Sequence, residues 1–232
     1  PELPATTLAE SCYEWMFQDC NSLTEAPELP ATDLAKACYL GMFYSCDKLV
    51  TAPALPATNL AENCYSQMFD LCKALETAPA LPATTLAPNC YFQMFAMCEK
   101  LKTAPARLPA TTLAPNCYFQ MFAMCSALQT APALPATTLA STCYKQMFMS
   151  CTSLETAPEL PAETLVEGCY DTMFSNCTSL NKITMLAKDI SAADCLNKWV
   201  KGVAATGTFT KASTMTSLPA GDSGIPAGWT IK

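Results

Sequence analysis

The sequence contains no histidine. That removes the side chain most often used as a general base and as a neutral nitrogen ligand for metals. Glycine is scarce, seven in 232 residues, and no group of glycines forms a phosphate-cradling loop. Basic residues are outnumbered, 13 against 20 acidic ones, for a net charge of -7. A chain with no basic run is poorly suited to neutralise a phosphate backbone, so no nucleic-acid partner is expected. No apolar run approaches the roughly 20 residues of a membrane-crossing helix. No signal peptide opens the sequence, and the first residues, PELPATTLAE, start within a repeat, as a fragment of a longer array would.

What is present is a repeat. TLAPNCYFQMFAMC at residues 85–98 returns almost unchanged at 112–125, with looser copies starting at Thr7, Asp33, Asn59, Thr138 and Thr164. Cys12, Cys38, Cys64 and Cys90 are 26 residues apart, the next step is 27 because of Arg107, and Cys143, Cys169 and Cys195 restore 26. A fixed period of this length marks a stacked array, in which each unit buries its apolar face against its neighbours. With 51% apolar residues the chain can fill such a core. The expected organisation is seven repeats over 1–183, a degenerate capping repeat over 184–206 and a Gly/Pro-containing cap over 207–232.

Comparison between the copies shows which positions are constrained. In the first copy these include Leu3, Pro4, Leu8, Cys12, Tyr13, Met16, Phe17, Cys20, Leu23 and Ala26. The spacing from Leu8 to Cys20 predicts one face of a short helix over about 8–18 and its equivalents. Thr7, Asp33, Asn59, Thr85, Thr112, Thr138 and Thr164 stand where N-caps belong, and Pro88 and Pro115 fall in the first turn. Leu23 to Ala26 predicts a strand of three or four residues, ended by Pro27. In the tail, the segments starting at Gly207 and Gly228 read as short edge strands. One strand and one helix per 26 residues is the size of a leucine-rich repeat, and the predicted fold is an α/β, right-handed solenoid of that kind.

The pattern C-x-x-L-x-x-A-P-x-L-P followed by M-F-x-x-C-x-x-L resembles the BspA-like leucine-rich repeats, over residues 1 to about 183. The tail, GTF to GIPAGWT, is similar to a terminus of Bacteroidales surface and prophage-encoded repeat proteins. The chain departs from the family by its longer repeat, by Met before Phe and by a second cysteine per copy. The resemblance implies a secreted or cell-surface, extracellular adhesion protein binding a protein or glycan. The alternative is a structural spacer or fibre component, phage-encoded, without its own ligand. No catalytic constellation appears, and no enzyme, cofactor or metal is expected.

Two sets of residues stand out as candidates. Between the core positions lie Trp15, Tyr44, Phe92, Met97, Phe119 and Met124, which either form an exposed contact strip or fill gaps between neighbouring helices. The fifteen cysteines are spaced 8 and 18 apart on apolar faces, which does not suit zinc. One register pairs Cys20–Cys38, Cys46–Cys64, Cys72–Cys90, Cys98–Cys117, Cys125–Cys143, Cys151–Cys169 and Cys177–Cys195. It is favoured over pairing within a copy, because helical positions eight apart lie about 12 Å from each other and a disulfide needs Cα atoms within about 7 Å. The alternative is a ladder of reduced, buried thiols.

Overall fold

The computed structural model describes residues 3–215 and 218–232; Pro1, Glu2, Thr216 and Ser217, which fall in the first repeat and the C-terminal cap, lie outside the described residues. The chain is a repeat solenoid whose coils are joined in parallel, and we number them 1 to 8 by their first cysteine, from Cys12 to Cys195. Single-residue parallel bridges link Glu25 to Thr51, Thr51 to Thr77, Thr77 to Thr103 and Thr103 to Thr130. This threonine column becomes a sheet at the C-terminal end. There β1 (Lys182–Met185) pairs with β2 (Thr208–Lys211), and β2 pairs with β3 (Thr230–Ile231). The ladder therefore runs from the eroded repeat into the tail, where both expected segments form strands, β2 at the centre of the sheet rather than at its edge and β3 at the edge.

The expected helices do not form. Among the described residues there is no helix, and residues 10–19 and their equivalents are runs of consecutive turns. Alternate amides close turns within the coil: Cys12 N–H donates to Ala9 O, Glu14 to Ser11 O, Met16 to Tyr13 O. The amides between them cross to the next coil, Tyr13 N–H to Cys38 O and Phe17 N–H to Met42 O, and each of the first seven coils makes five such bonds. The positions expected to cap helices instead form a second bridge column, with Thr7 on Asp33, Asp33 on Asn59 and Asn59 on Thr85.

Every fourth residue of the ribbon has positive φ: Ser11, Trp15 and Asp19 in coil 1 (55°, 55° and 57°), and Asn89, Gln93 and Met97 in coil 4 (55°, 52° and 58°). Each is the third residue of a turn, the place where a type II turn needs a left-handed residue. The conformation costs an L-residue roughly 1–2 kcal/mol. It recurs because it turns the intervening amides towards the next coil, where they find carbonyl partners.

The four-residue repeat of the backbone sorts side chains in pairs, two inward and two outward. Cys38, Tyr39, Met42, Phe43 and Cys46 of coil 2 point inward and are buried, as are their equivalents through coil 7. The rings stack coil on coil. Tyrosine centroids stand 5.6 to 6.0 Å apart from Tyr13 to Tyr170. Phenylalanine centroids stand 5.5 to 5.7 Å apart from Phe17 to Phe174. Burying each ring contributes roughly 1.5–3 kcal/mol. Both columns end on Trp199, whose indole N–H donates to Gly224 O at 2.9 Å. Gly224 is needed there, since a Cβ would meet Pro219 O at 1.8 Å.

The expected cystine register is not formed either: all fifteen cysteines, from Cys12 to Cys195, are free thiols. The two cysteines of a coil belong to two separate columns. In the second, Cys46, Cys72, Cys98, Cys125, Cys151 and Cys177 each donate through Sγ to a phenylalanine carbonyl of the preceding coil, at 2.9 to 3.1 Å. A thiol so placed satisfies a carbonyl and fills the core as a small apolar group. Burial pushes the Cys46 thiol up to about 11 and the Cys38 thiol up to about 12, with Cys64, Cys98, Cys117 and Cys151 well above their ordinary value. The nucleophilic thiolate is thus suppressed at neutral pH.

Candidate functional site

The outward positions of the turn ribbon carry the residues that vary between coils, and the six candidate strip residues all stand there. They fall into two groups rather than one strip. In coils 1 and 2, Trp15 lies edge-on to Tyr44 with centroids 5.5 Å apart. Gly41, with φ of 57°, makes room for the indole, because a Cβ there would lie 2.0 Å from Trp15 Cε3. Other coils carry glutamine, threonine or lysine at this position, so Gly41 and Trp15 act as a pair.

Coils 4 and 5 hold the second group. Phe92 and Phe119 stack at 5.0 Å with planes 14° apart, half-buried. Met97 and Met124, at the left-handed positions four residues beyond Gln93 and Gln120, are 38% and 40% exposed. The two exposed thioethers and the half-buried aromatic pair thus stand at outward positions of the same two coils.

A glutamine ladder adjoins this patch, and the sequence reading missed it. Gln67 Nε2 donates to Gln93 Oε1 at 3.0 Å, Gln93 Nε2 to Gln120 Oε1, and Gln120 Nε2 to Gln146 Oε1 at 2.9 Å. The signal was the repeated Gln before Met at one position in four successive copies. The ladder engages the amides with one another and holds the ribbon beside Phe92 and Phe119 at fixed spacing.

Coil 3 separates the two groups. It puts Ser66 and Asp70 at outward positions, yet both are buried. Asp70 Oδ1 has no hydrogen-bond partner. Burial raises the Asp70 carboxyl from its ordinary 3.8 to about 7, an effect only partly offset by the Leu71 amide and the Gln67 side chain. At the far end of the same face, the buried Asp171 is better served: Lys145 Nζ stands 2.9 Å from Oδ2, and Asn197 Nδ2 donates to Oδ1 at 3.1 Å. Among the described residues no group of three or more His, Cys, Asp or Glu is arranged to hold a metal ion, and no helix is long and apolar enough to cross a membrane.

A third feature lies on the threonine-column side. A cleft of about 540 Å³ runs between coils 1 and 2, lined among others by Glu25, Glu28, Leu29, Pro30, Thr51 and Pro56.

These features define a repeat solenoid, a scaffold that presents variable outward side chains at regular intervals. No family profile matches the chain, and no curated protein is similar to it in sequence. Among solved structures, it is similar to a leucine-rich repeat protein from Bacteroides ovatus, at 14% identity and a TM-score of 0.31, over 94% of this chain and 76% of that one.

Proposed function

We infer that the chain is a non-enzymatic recognition module, secreted or exposed on a cell surface, that binds a protein or glycan through the patch of Phe92, Phe119, Met97 and Met124. The single observation that carries this reading is the stacked pair Phe92–Phe119 at an outward position. Every other aromatic stack of the ribbon is directed into the core or belongs to the Trp15–Tyr44 pair, whereas this one lies outward on the two coils that carry the exposed Met97 and Met124. Aromatic anchors flanked by adaptable side chains dominate interface energetics. The resemblance of the repeat to the BspA-like pattern supports adhesion as the setting and an extracellular location.

The test is a screen of the purified chain on arrays of glycans and extracellular-matrix proteins, with Phe92→Ser/Phe119→Ser in parallel. The reading expects a partner that the wild type captures and the double variant does not. Equal capture by both removes the patch from the interface, and a wild type that captures nothing favours the spacer or fibre role.

A further inference from the structure

The outward face of the turn ribbon is complementary to itself when its stacking direction is reversed. Coils 4 and 5 repeat each other almost letter for letter, residues 85–98 returning at 112–125. Ribbon residues 88–97 and 115–124 include no charged side chain. Charges appear in the coils on either side, and their signs differ. Asp19 of coil 1 and Lys36 of coil 2 are exposed on one side, Glu167 of coil 7 and Lys201 of coil 8 on the other. Lys36 and Glu167 hold the same place in their coils, two residues before Cys38 and Cys169. Asp19 and Lys201 hold neighbouring places, seven residues after Cys12 and six after Cys195. Asp19, Glu167 and Lys201 have no ion-pair partner among the described residues. Lys36 reaches Glu62 at 3.4 Å and stays half exposed.

A two-fold axis lying along the ribbon between coils 4 and 5 brings these features together. Two ribbons then meet face to face with their stacking directions opposed. Coil 4 of one chain meets coil 5 of the other, so Phe92 meets Phe119 and Met97 meets Met124. Coil 2 meets coil 7, which sets Lys36 against Glu167. Coil 1 meets coil 8, which sets Asp19 beside Lys201. No ribbon position in this register sets like charges against each other. Moving the axis by one coil, to between coils 3 and 4, sets Phe92 against Ser66 and Lys36 against Pro115, and the match is lost. An uncharged centre within a charged rim is the anatomy of an interface. Complementary rim charges fix its register, and a contact that uses the same surface on both partners closes as a dimer.

We propose that the turn-ribbon face is a dimer interface, and that the partner of the Phe92–Phe119 patch is a second, antiparallel copy of this chain. The proposal rests on the reading of that patch as a contact surface and names its protein partner.

The experiment is sedimentation equilibrium of the purified chain over a concentration series, with carbodiimide cross-linking and peptide mapping alongside. The wild type is expected to rise from 24.9 kDa towards twice that mass. Within one chain Lys36 and Glu167 stand five coils apart, about 24 Å at the spacing of parallel strands. A direct amide between them therefore joins two chains, and the dimer should yield it. Phe92→Ser/Phe119→Ser should abolish association. Glu167→Lys should weaken it by about tenfold, because the two-fold axis reverses an exposed pair twice, and adding Lys36→Glu should restore it. A wild type that stays at 24.9 kDa at every concentration overturns the dimer, while the patch itself is judged separately by capture on the arrays. Association that survives Phe92→Ser/Phe119→Ser, a dimer without the Lys36–Glu167 link, or a charge swap that restores nothing would each overturn the proposal as well.

Discussion

Replacing Asp70 with alanine should stabilise this protein, and the gain should depend on pH. Asp70 is buried with Oδ1 unpaired, and the next two coils carry Ala96 and Ala123 at the same position, both buried. Alanine thus fits the local packing. The folded carboxyl titrates near 7 instead of 3.8. Below about pH 4 the group is protonated whether the chain is folded or not, and it contributes no difference. Between about 4 and 7 the unfolded chain ionises while the folded one holds its proton, so stability falls as pH rises. Above about 7 the loss is complete. A shift of about three units at 1.36 kcal/mol each sets an upper bound of about 4 kcal/mol. Urea unfolding of wild type and Asp70→Ala, followed by fluorescence near pH 4, 6 and 8, measures the difference directly. The expected outcome is near equality at pH 4 and a variant more stable by about 2–4 kcal/mol at pH 8. A difference that stays flat across this range would refute the reasoning, and so would a variant less stable at pH 8.

Two further outcomes follow from the packing. In native protein without reductant, a thiol reagent should modify Cys12 rapidly, Cys20 slowly and the buried cysteines hardly at all, whereas denatured protein should yield all fifteen thiols. Fewer thiols after denaturation would show that disulfides exist in solution. Gly41→Ala should drive the Trp15 ring off its seat beside Tyr44, because the new Cβ would meet the indole at 2.0 Å. Trp15 quenching by acrylamide, measured in a background where Trp199 and Trp229 are phenylalanine, should rise, and unchanged quenching would show that the ring does not rest on Gly41.

The inward residues were legible in the sequence because repetition exposes them. Tyr39, Met42, Phe43 and their equivalents through coil 7 occupy the core as the internal comparison indicated, whereas Met16 of coil 1 is 51% exposed, and of the two tail segments expected as edge strands, β3 is at the edge of the sheet and β2 at its centre. The helix was misread for a definite reason. Inward pairs at 12–13 and 16–17, with 20 beyond, repeat strictly every four residues. A helix of 3.6 residues per turn drifts off that register slowly, so over nine residues the two periods give the same inward set. The discriminating signal lay in the outward positions: Asn63, Asn89 and Asn116 in one left-handed column, Gly41 in the next, Asn176 and Gly202 in the third. Asparagine and glycine tolerate positive φ, but Gln93, Leu71 and Met97 in the same columns hide the pattern. The candidate strip was legible residue by residue and not as a whole, since nothing in the letters says that Ser66 and Asp70 of coil 3 turn in and divide it. The thiol ladder follows from the same misreading, because the cysteine register was weighed on a helix that the coils do not contain.

The crossing bonds of the turn ribbon all run in one sense. In every one of the first seven coils the five crossing N–H groups point towards the following coil and the carbonyls that receive them point back. Peptide dipoles aligned in this way add, as they do along a helix, but here the summation runs across coils, perpendicular to the local chain. Each coil turns the carbonyls of these bonds towards its lower-numbered neighbour and the N–H groups towards its higher-numbered one, and the moment grows with each coil stacked. A coil added to the stack therefore joins a field already aligned with its own crossing bonds, and that field weakens with added salt as the screening length shortens.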